Sequence, residues 1–150
     1  MSSGKRHIVG GFVFLWLFLT ILSNFFFVPS AMEIVIFTAI AILFSLWPDV
    51  DIKSIGQKTF YSIFFVTDAI LIFYFKDYKI AAFFGLLIIL PVLAKHRGWT
   101  HSKVTAVLLP IPLLLVPMYV SDGTLLEGLP YYFAAVTGYF SHLFFDKKLI

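Results

Sequence analysis

The chain has 150 residues, of which 61% are hydrophobic and 13% charged, with a formal net charge of +3. A soluble domain is typically about half apolar and about one quarter charged, so this composition indicates an integral membrane protein. Cysteine is absent, which excludes disulfide bonds, a thiolate nucleophile and a cysteine-based zinc site. The charge pattern contains no basic stripe, so no nucleic-acid partner is predicted.

Apolar runs separated by polar turns predict an all-α integral membrane fold, a single domain built as a bundle of about six transmembrane helices. The first run is uncharged and long enough to cross a bilayer core of about 30 Å. It could be a signal peptide, but it exceeds a typical signal-peptide core and lacks a good cleavage site, which favours a retained helix. The predicted spans are residues 8–28, 31–47, 60–75, 80–94, 104–120 and 128–145.

Prolines shape two of these segments. Pro48 ends the second, and Pro110, Pro112 and Pro117 predict that the fifth is kinked or interrupted. Several segments are shorter than the roughly 20 residues that span comfortably, which predicts a thin bundle or helix ends drawn into the interface. The long unbroken apolar runs exclude the alternating pattern of a membrane barrel.

The lysines and arginines predict the orientation. Six crossings would place both termini, the 48–59 turn and the 95–103 loop on one face, leaving only Lys76 and Lys79 on the other. The positive-inside rule then predicts a multi-pass protein of the plasma (inner) membrane with both termini in the cytoplasm. The cations on the predicted cytoplasmic face are Lys5, Arg6, Lys53, Lys58, Lys95, Arg97, Lys103, Lys147 and Lys148.

The same predicted face collects all four histidines and several aspartates, from four separate parts of the chain. His142 and Asp146 are four residues apart and therefore share one helical face. Histidine and carboxylate are common ligands of divalent ions, so these residues are candidate metal ligands. The candidates are His7, Asp49, Asp51, His96, His101, His142 and Asp146.

An alternative interpretation is that helix ends and cytoplasmic loops are polar in any membrane protein. It accounts for the lysines and some aspartates, but less well for histidines confined to one face. It also leaves the pair His142 and Asp146 unexplained, because such a pair on a last helical turn is costly unless partnered. Composition and topology alone leave both interpretations open.

Three blocks of the sequence resemble the signatures of one family. They are Trp47-Pro48-Asp49-Val50-Asp51, the run HRGWTHS at 96–102 and the run GYFSHLFFD at 138–146. They resemble the LPDxD, HRGxTHS and GxxSHLxxD blocks of the YdjM/YbcI-type family of inner-membrane, metal-dependent hydrolases. His7, followed by Gly10 and Gly11, is similar to the family's early histidine. Trp47 replaces the usual leucine, and this departure touches no candidate ligand.

The resemblance implies a metal-dependent hydrolase site, and the number of candidate ligands predicts two ions. One zinc ion takes about three protein ligands and a water, so seven candidates indicate two divalent ions, zinc or alternatively manganese. Such a pair clamps the attacking and leaving oxygens of a phosphoester and activates water. Catalytic roles fall to Asp51, Arg97 and His101, with Arg97 either a phosphate clamp or a plain positive-inside cation.

The predicted function is hydrolysis of an ester, most plausibly a phosphoester, in a lipid or lipid-linked substrate at the cytoplasmic interface. A membrane peptidase or amidase is one alternative, although no His-Glu-x-x-His motif is present. Another is a metal-stabilised scaffold that binds a cytoplasmic protein, since some family members are named for an association with the LexA repressor. A cation transporter would place its ligands near the bilayer midplane.

Three further polar residues have predicted roles. Asp68 lies midway along the third span, where an ionisable residue is a functional candidate. It is expected to bond to a hydroxyl such as that of Thr38, Thr137 or Tyr139. Thr100 and Ser102 could orient a ligand histidine or cap the fifth helix.

Overall fold

The computed structural model describes residues 4–79, 81, 82, 85, 89, 98–120 and 122–146 of the chain. Within these residues the fold is all-helical and contains no strand, as the sequence predicts. Short 3-10 turns occur at Trp47–Asp49 and Trp99–His101, and the third helix continues into a π-helical turn, Leu71–Phe75. The helices are α1 (Gly4–Phe25), α2 (Ala31–Leu46), α3 (Ile55–Ile70), α4 (Lys103–Leu108), α5 (Pro112–Val120) and α6 (Leu125–Phe145).

Serine side chains define where three of the helices begin. The hydroxyl of Ser30 accepts the backbone N–H of Glu33 at 3.3 Å, and the Glu33 carboxylate accepts the backbone N–H of Ser30 at 2.7 Å, which completes a capping box at α2. Ser54 and Ser102 accept backbone N–H groups in the first turns of α3 and α4. These serines satisfy N–H groups that a helix start leaves without partners.

Three helical stretches of the described chain are long and apolar enough to cross a membrane: His7–Phe25, Ala31–Asp49 and Ile55–Phe75. The predicted count of six is therefore not reached in the part of the chain that the structure describes. The predicted fifth span consists of two short helices, α4 and α5, separated by a turn at Pro110. Proline lacks an N–H and cannot continue a helical ladder, so the predicted interruption is confirmed.

The predicted boundaries differ from the observed ones for a consistent reason. α1 begins at Gly4 and ends at Phe25, three residues before the predicted end, and α3 begins at Ile55 rather than at residue 60. Hydropathy locates the apolar part of a segment, whereas the helix itself starts at its cap, here Ser54. Most of the predicted span 80–94 lies outside the described residues.

The last helix, α6, forms the centre of the bundle and packs against α1, α2 and α5. Its small residues allow close approach, because Gly138 lies against the backbone of Ala41 in α2 and Gly128 against the backbone of Leu114 in α5. The outer helices expose large apolar side chains instead, such as Trp16 and Phe73, which suits a lipid environment. The buried residues of α6 are Gly128, Ala134, Ala135, Gly138, Tyr139, Ser141, His142 and Leu143.

Replacing Gly138 by alanine should destabilise this bundle, because the added methyl group would collide with the backbone carbonyl of Ala41. We expect the free energy of unfolding to fall by about 1–3 kcal/mol, as in other overpacked cores. Thermal unfolding in detergent, followed by circular dichroism, measures the effect. Gly85→Ala is the matched control, since no atom of the described residues lies within 4 Å of its added methyl group. Equal melting temperatures for the two variants would contradict the close α2–α6 contact.

Candidate metal centre

Asp49 reaches the interior of the bundle because the chain tightens where α2 ends. Pro48 is buried at the start of the 3-10 turn Trp47–Asp49, where its missing N–H costs nothing. The backbone N–H of Val50 then donates to the carbonyl of Trp47 at 3.0 Å. Ser54 holds the turn from the other side, because its hydroxyl donates to the carbonyl of Asp49 at 2.7 Å. The carboxylate of Asp49 is consequently only 13% exposed.

His142 is fixed by a bond to the neighbouring helix. Its Nδ1 lies 2.8 Å from the backbone carbonyl oxygen of Ser45 in α2. A carbonyl only accepts hydrogen bonds, so Nδ1 carries a proton, and Nε2 is the nitrogen left to offer a lone pair in the neutral ring. Asp146 follows one turn later as the C-cap of α6, and its N–H donates to the carbonyl of His142 at 3.0 Å. This spacing places both side chains on the same side of α6.

His101 lies in the 3-10 turn Trp99–His101 and is held by its neighbours. The hydroxyl of Thr100 lies 3.3 Å from Nδ1 of His101, and the phenol of Tyr139 donates to the carbonyl of Thr100. The hydroxyl of Thr105 donates to the carbonyl of Trp99 at 2.6 Å, which closes the turn. Such supporting bonds orient the ring of a histidine in metal sites.

Four side-chain atoms converge at this end of the bundle. Oδ1 of Asp49 lies 3.6 Å from Nε2 of both His101 and His142. Oδ2 of Asp146 lies 3.7 Å and 3.5 Å from the same two nitrogens. Ligand atoms of these four residues all lie within 4.8 Å of one another. We call Asp49, His101, His142 and Asp146 the four-ligand cluster.

These separations fit ligands that share an ion better than they fit hydrogen bonds. Strong N–H···O bonds measure about 2.7–3.2 Å, so 3.5–3.7 Å is too long. Ligands about 2.0–2.2 Å from a tetrahedral zinc ion lie about 3.3–3.6 Å from one another. Nε2 of His142 is also buried, and within the part of the chain that the structure describes it has no hydrogen-bond partner. The donor set and its spacing therefore fit a divalent ion.

His7 lies beside the four-ligand cluster and faces the outer oxygens of both carboxylates. Its Nε2 is 3.6 Å from Oδ1 of Asp146 and 4.0 Å from Oδ2 of Asp49. Its ring is 1% exposed and stacks on the ring of His142 with centroids 3.8 Å apart. Each carboxylate thus has one oxygen towards His101 and His142 and the other towards His7.

The electrostatics of the cluster also indicate a cation. Two carboxylates and three imidazoles are gathered at the end of an apolar bundle, and their exposed fractions do not exceed 16%. Burial of carboxylates is costly unless they are paired, and two neighbouring negative charges also repel each other. A divalent cation between the two aspartates would offset both costs.

The structure brings together five of the seven predicted ligands. They are the four-ligand cluster and His7. Asp51 lies outside the four-ligand cluster. His96 and Arg97, the latter with a predicted catalytic role, fall outside the described residues.

Ser45 and Tyr139 support the metal centre through hydrogen bonds that the sequence does not predict. Ser45 acts through its backbone carbonyl, a role for which no side-chain pattern exists. Tyr139 is expected from the sequence only as a partner of Asp68. Its position three residues before His142 is the signal that it lies near the centre.

The three other polar residues resolve differently from one another. Ser102 caps α4, and Thr100 contacts the His101 ring, so each of the two alternatives holds for one residue. Oδ1 of Asp68 is buried and has no hydrogen-bond partner among the described residues, while the hydroxyls of Thr38 and Tyr139 donate to backbone carbonyls instead. Thr38 and Tyr139, two of the three expected hydroxyl partners of Asp68, therefore donate their hydroxyl protons elsewhere.

Fold and site together define a helical membrane protein with a candidate metal centre at one end of its bundle. The YdjM inner membrane protein family model matches residues 1–147, and the chain belongs to this family. The family resemblance drawn from the three sequence blocks is therefore confirmed. Comparison with curated proteins and with solved structures finds no match.

Removing one member of the four-ligand cluster should release the metal. We expect the detergent-purified protein to contain a divalent ion, and we expect His142→Ala and Asp49→Asn to lose it, because each contributes an atom to the convergent set. Elemental analysis of the purified proteins measures this. Asp68→Asn is the control, a carboxylate inside α3 and away from the cluster. A wild-type protein that takes up no metal on titration would overturn the assignment.

Proposed function

We propose that the protein is a membrane-embedded, metal-dependent hydrolase that acts on a phosphoester of a lipid or lipid-linked substrate. The single observation that carries this proposal is the convergence of Asp49, His101, His142 and Asp146 at ligand spacing. Zinc is the expected ion because it combines histidine and carboxylate ligands, and manganese is the alternative. A bound ion of this kind polarises an ester oxygen and lowers the pKa of water to about 7.

The orientation of the two aspartates supports two ions, because each carboxylate has one oxygen towards His101 and His142 and the other towards His7. The four-ligand cluster would hold one ion. His7 and the outer oxygens of Asp49 and Asp146 would hold the second, with both carboxylates as bridges. Two ions about 3.5–4 Å apart are the arrangement that enzymes use to clamp the attacking and leaving oxygens of a phosphoester.

Residues around the centre would supply the remaining functions. Arg97 belongs to the block that also carries His101, and its guanidinium matches a phosphate with two parallel hydrogen bonds. Asp51 lies two residues after Asp49 and is the candidate general base. His101 would serve as a ligand, because Thr100 holds its ring while Nε2 faces the two aspartates.

A lipid substrate follows from the position of the centre in the bundle. The cluster lies at the ends of α2 and α6 and at the start of α1, where membrane-spanning helices would meet the membrane surface. Exposed apolar side chains such as Val9, Phe144 and Phe145 lie on the same helical turns. A headgroup ester at the interface would therefore come within reach of the cluster.

We propose six crossings with both termini in the cytoplasm, which places the centre on the cytoplasmic face. The chain lacks cysteine, so single cysteines can be introduced as markers of sidedness. An impermeant maleimide should label Lys53→Cys only from the cytoplasm and Lys79→Cys only from the other side, since α3 separates these exposed positions. Labelling of both from one side would contradict the orientation.

A metal-stabilised scaffold is the second candidate, and the burial of the cluster favours it. His142 is fully buried and His101 is 5% exposed. Four protein ligands also fill a tetrahedral shell, as in structural zinc sites. Such a protein would bind metal and a cytoplasmic protein partner without turnover.

Hydrolysis assays with matched variants distinguish the two functions. The wild-type protein should contain about two equivalents of metal and release product from a phospholipid or lipid phosphate. His7→Ala should retain about one equivalent, and His142→Ala should lose activity by more than the about 10–100-fold that is typical of losing a supporting residue. Lys53→Gln is the control, an exposed cation away from the cluster.

Arg97→Gln tests the clamp separately, because it should raise the KM for phosphate-bearing substrates while the metal content stays unchanged. Metal binding without turnover on phosphoesters, carboxyl esters or amides would reject the hydrolase and leave the scaffold.

A further inference from the structure

The opposite end of the bundle contains a large apolar cleft between α2, α5 and α6. Its volume is about 720 Å³, within the about 300–1,000 Å³ of typical small-molecule sites. Glu33 and Asp49 lie at opposite ends of the second membrane-length stretch, and Glu127 and His142 lie at opposite ends of α6. The cleft is therefore separate from the candidate metal centre.

The walls of the cleft are apolar and run from one helix end towards the middle of the bundle. Along α2, Ile36 and Ile40 follow Glu33 at successive turns, and they face Leu113 of α5 across the cleft. Ile40 and Tyr131 close the inner end, where both pack against the core around Phe37. All of these wall residues are half-buried.

The outer end of the cleft carries two carboxylates. Glu33 lies in the first turn of α2 and Glu127 in the first turn of α6, and both line the cleft. Ser30 and Thr124 donate hydrogen bonds to them at 2.7 Å and 3.2 Å, which holds each side chain in place. A carboxylate has about four acceptor positions, so each can accept further donors. No lysine or arginine is among the described residues that line the cleft.

We propose that this cleft binds one bilayer phospholipid whose head carries a primary ammonium, the chemistry of phosphatidylethanolamine. The ammonium, with three N–H donors, would meet Glu33 and Glu127, and an acyl chain would lie along Ile36 and Ile40. The polarity of the cleft, with its acids at the helix starts and its apolar floor towards the bundle centre, matches the head-to-tail direction of a lipid in a leaflet. The quaternary ammonium of phosphatidylcholine lacks N–H donors. A head with a net negative charge, such as that of phosphatidylglycerol, would be repelled by the two carboxylates.

Lipid titration followed by native mass spectrometry of the detergent-purified protein tests the proposal. The probes are phosphatidylethanolamine, phosphatidylcholine and phosphatidylglycerol with identical acyl chains. The wild-type protein should bind the first about 10-fold more tightly than the last. Glu33→Gln combined with Glu127→Gln should remove this preference. Glutamine serves in a capping box as glutamate does, so the start of α2 remains intact, and the amide oxygen introduced at position 127 can still accept the hydroxyl of Thr124.

Two further variants separate the head site from the acyl site. Ile40→Trp should weaken all three lipids alike, because the indole would fill the floor of the cleft. Asp122→Asn is the matched control, an exposed carboxylate in the turn before α6 and outside the cleft, and its φ of 50° is one that asparagine tolerates. It should leave every affinity unchanged.

Equal wild-type affinity for the ethanolamine and glycerol lipids would overturn the head site, and unchanged binding in Ile40→Trp would overturn the cleft as the location. Single Glu33→Gln and Glu127→Gln variants repeat the head-site test if the double variant melts at a lower temperature. Metal content should stay unchanged in all of these variants, so the outcome is independent of the proposed hydrolase.

Discussion

The contact between α2 and α6 fixes the rest of the site. The two helices run in the same direction and touch where Gly138 lies against the backbone of Ala41. One turn further along each helix, His142 bonds to the carbonyl of Ser45. One turn beyond that, Asp49 and Asp146 both reach Nε2 of His142 and of His101. Residues four apart lie on the same side of a helix. The backbone contact therefore determines where the two facing carboxylates lie, about two turns further along.

The sequence predicted the class of fold and most of the candidate site, because both depend on side-chain chemistry that can be read directly. Apolar runs indicate membrane helices, and His7, Asp49, His101, His142 and Asp146 stand out as polar residues at their ends. The remaining features depend on the backbone. The carbonyl of Ser45 has no residue-specific signature, and the start of α3 at Ser54 depends on a cap that hydropathy does not detect.

The number of crossings was harder to predict for a related reason. A central helix such as α6 contacts other helices on several sides, so it can contain Tyr139 and His142 without exposing them to lipid. Although α6 is as long as the candidate spans, it is not among the described stretches that are apolar enough to count as one. Hydropathy detects helices whose side chains must be apolar because they contact lipid. A helix that is surrounded by other helices is not under that requirement.

The sequence separation within the centre has a consequence for biogenesis. His7 and Asp146 are held 3.6 Å apart although almost the whole chain lies between them. Nearly the whole chain must therefore be made and folded before these two residues can meet. An ion bound there would link the first helix to the last, so it could bind only after both helices have come together.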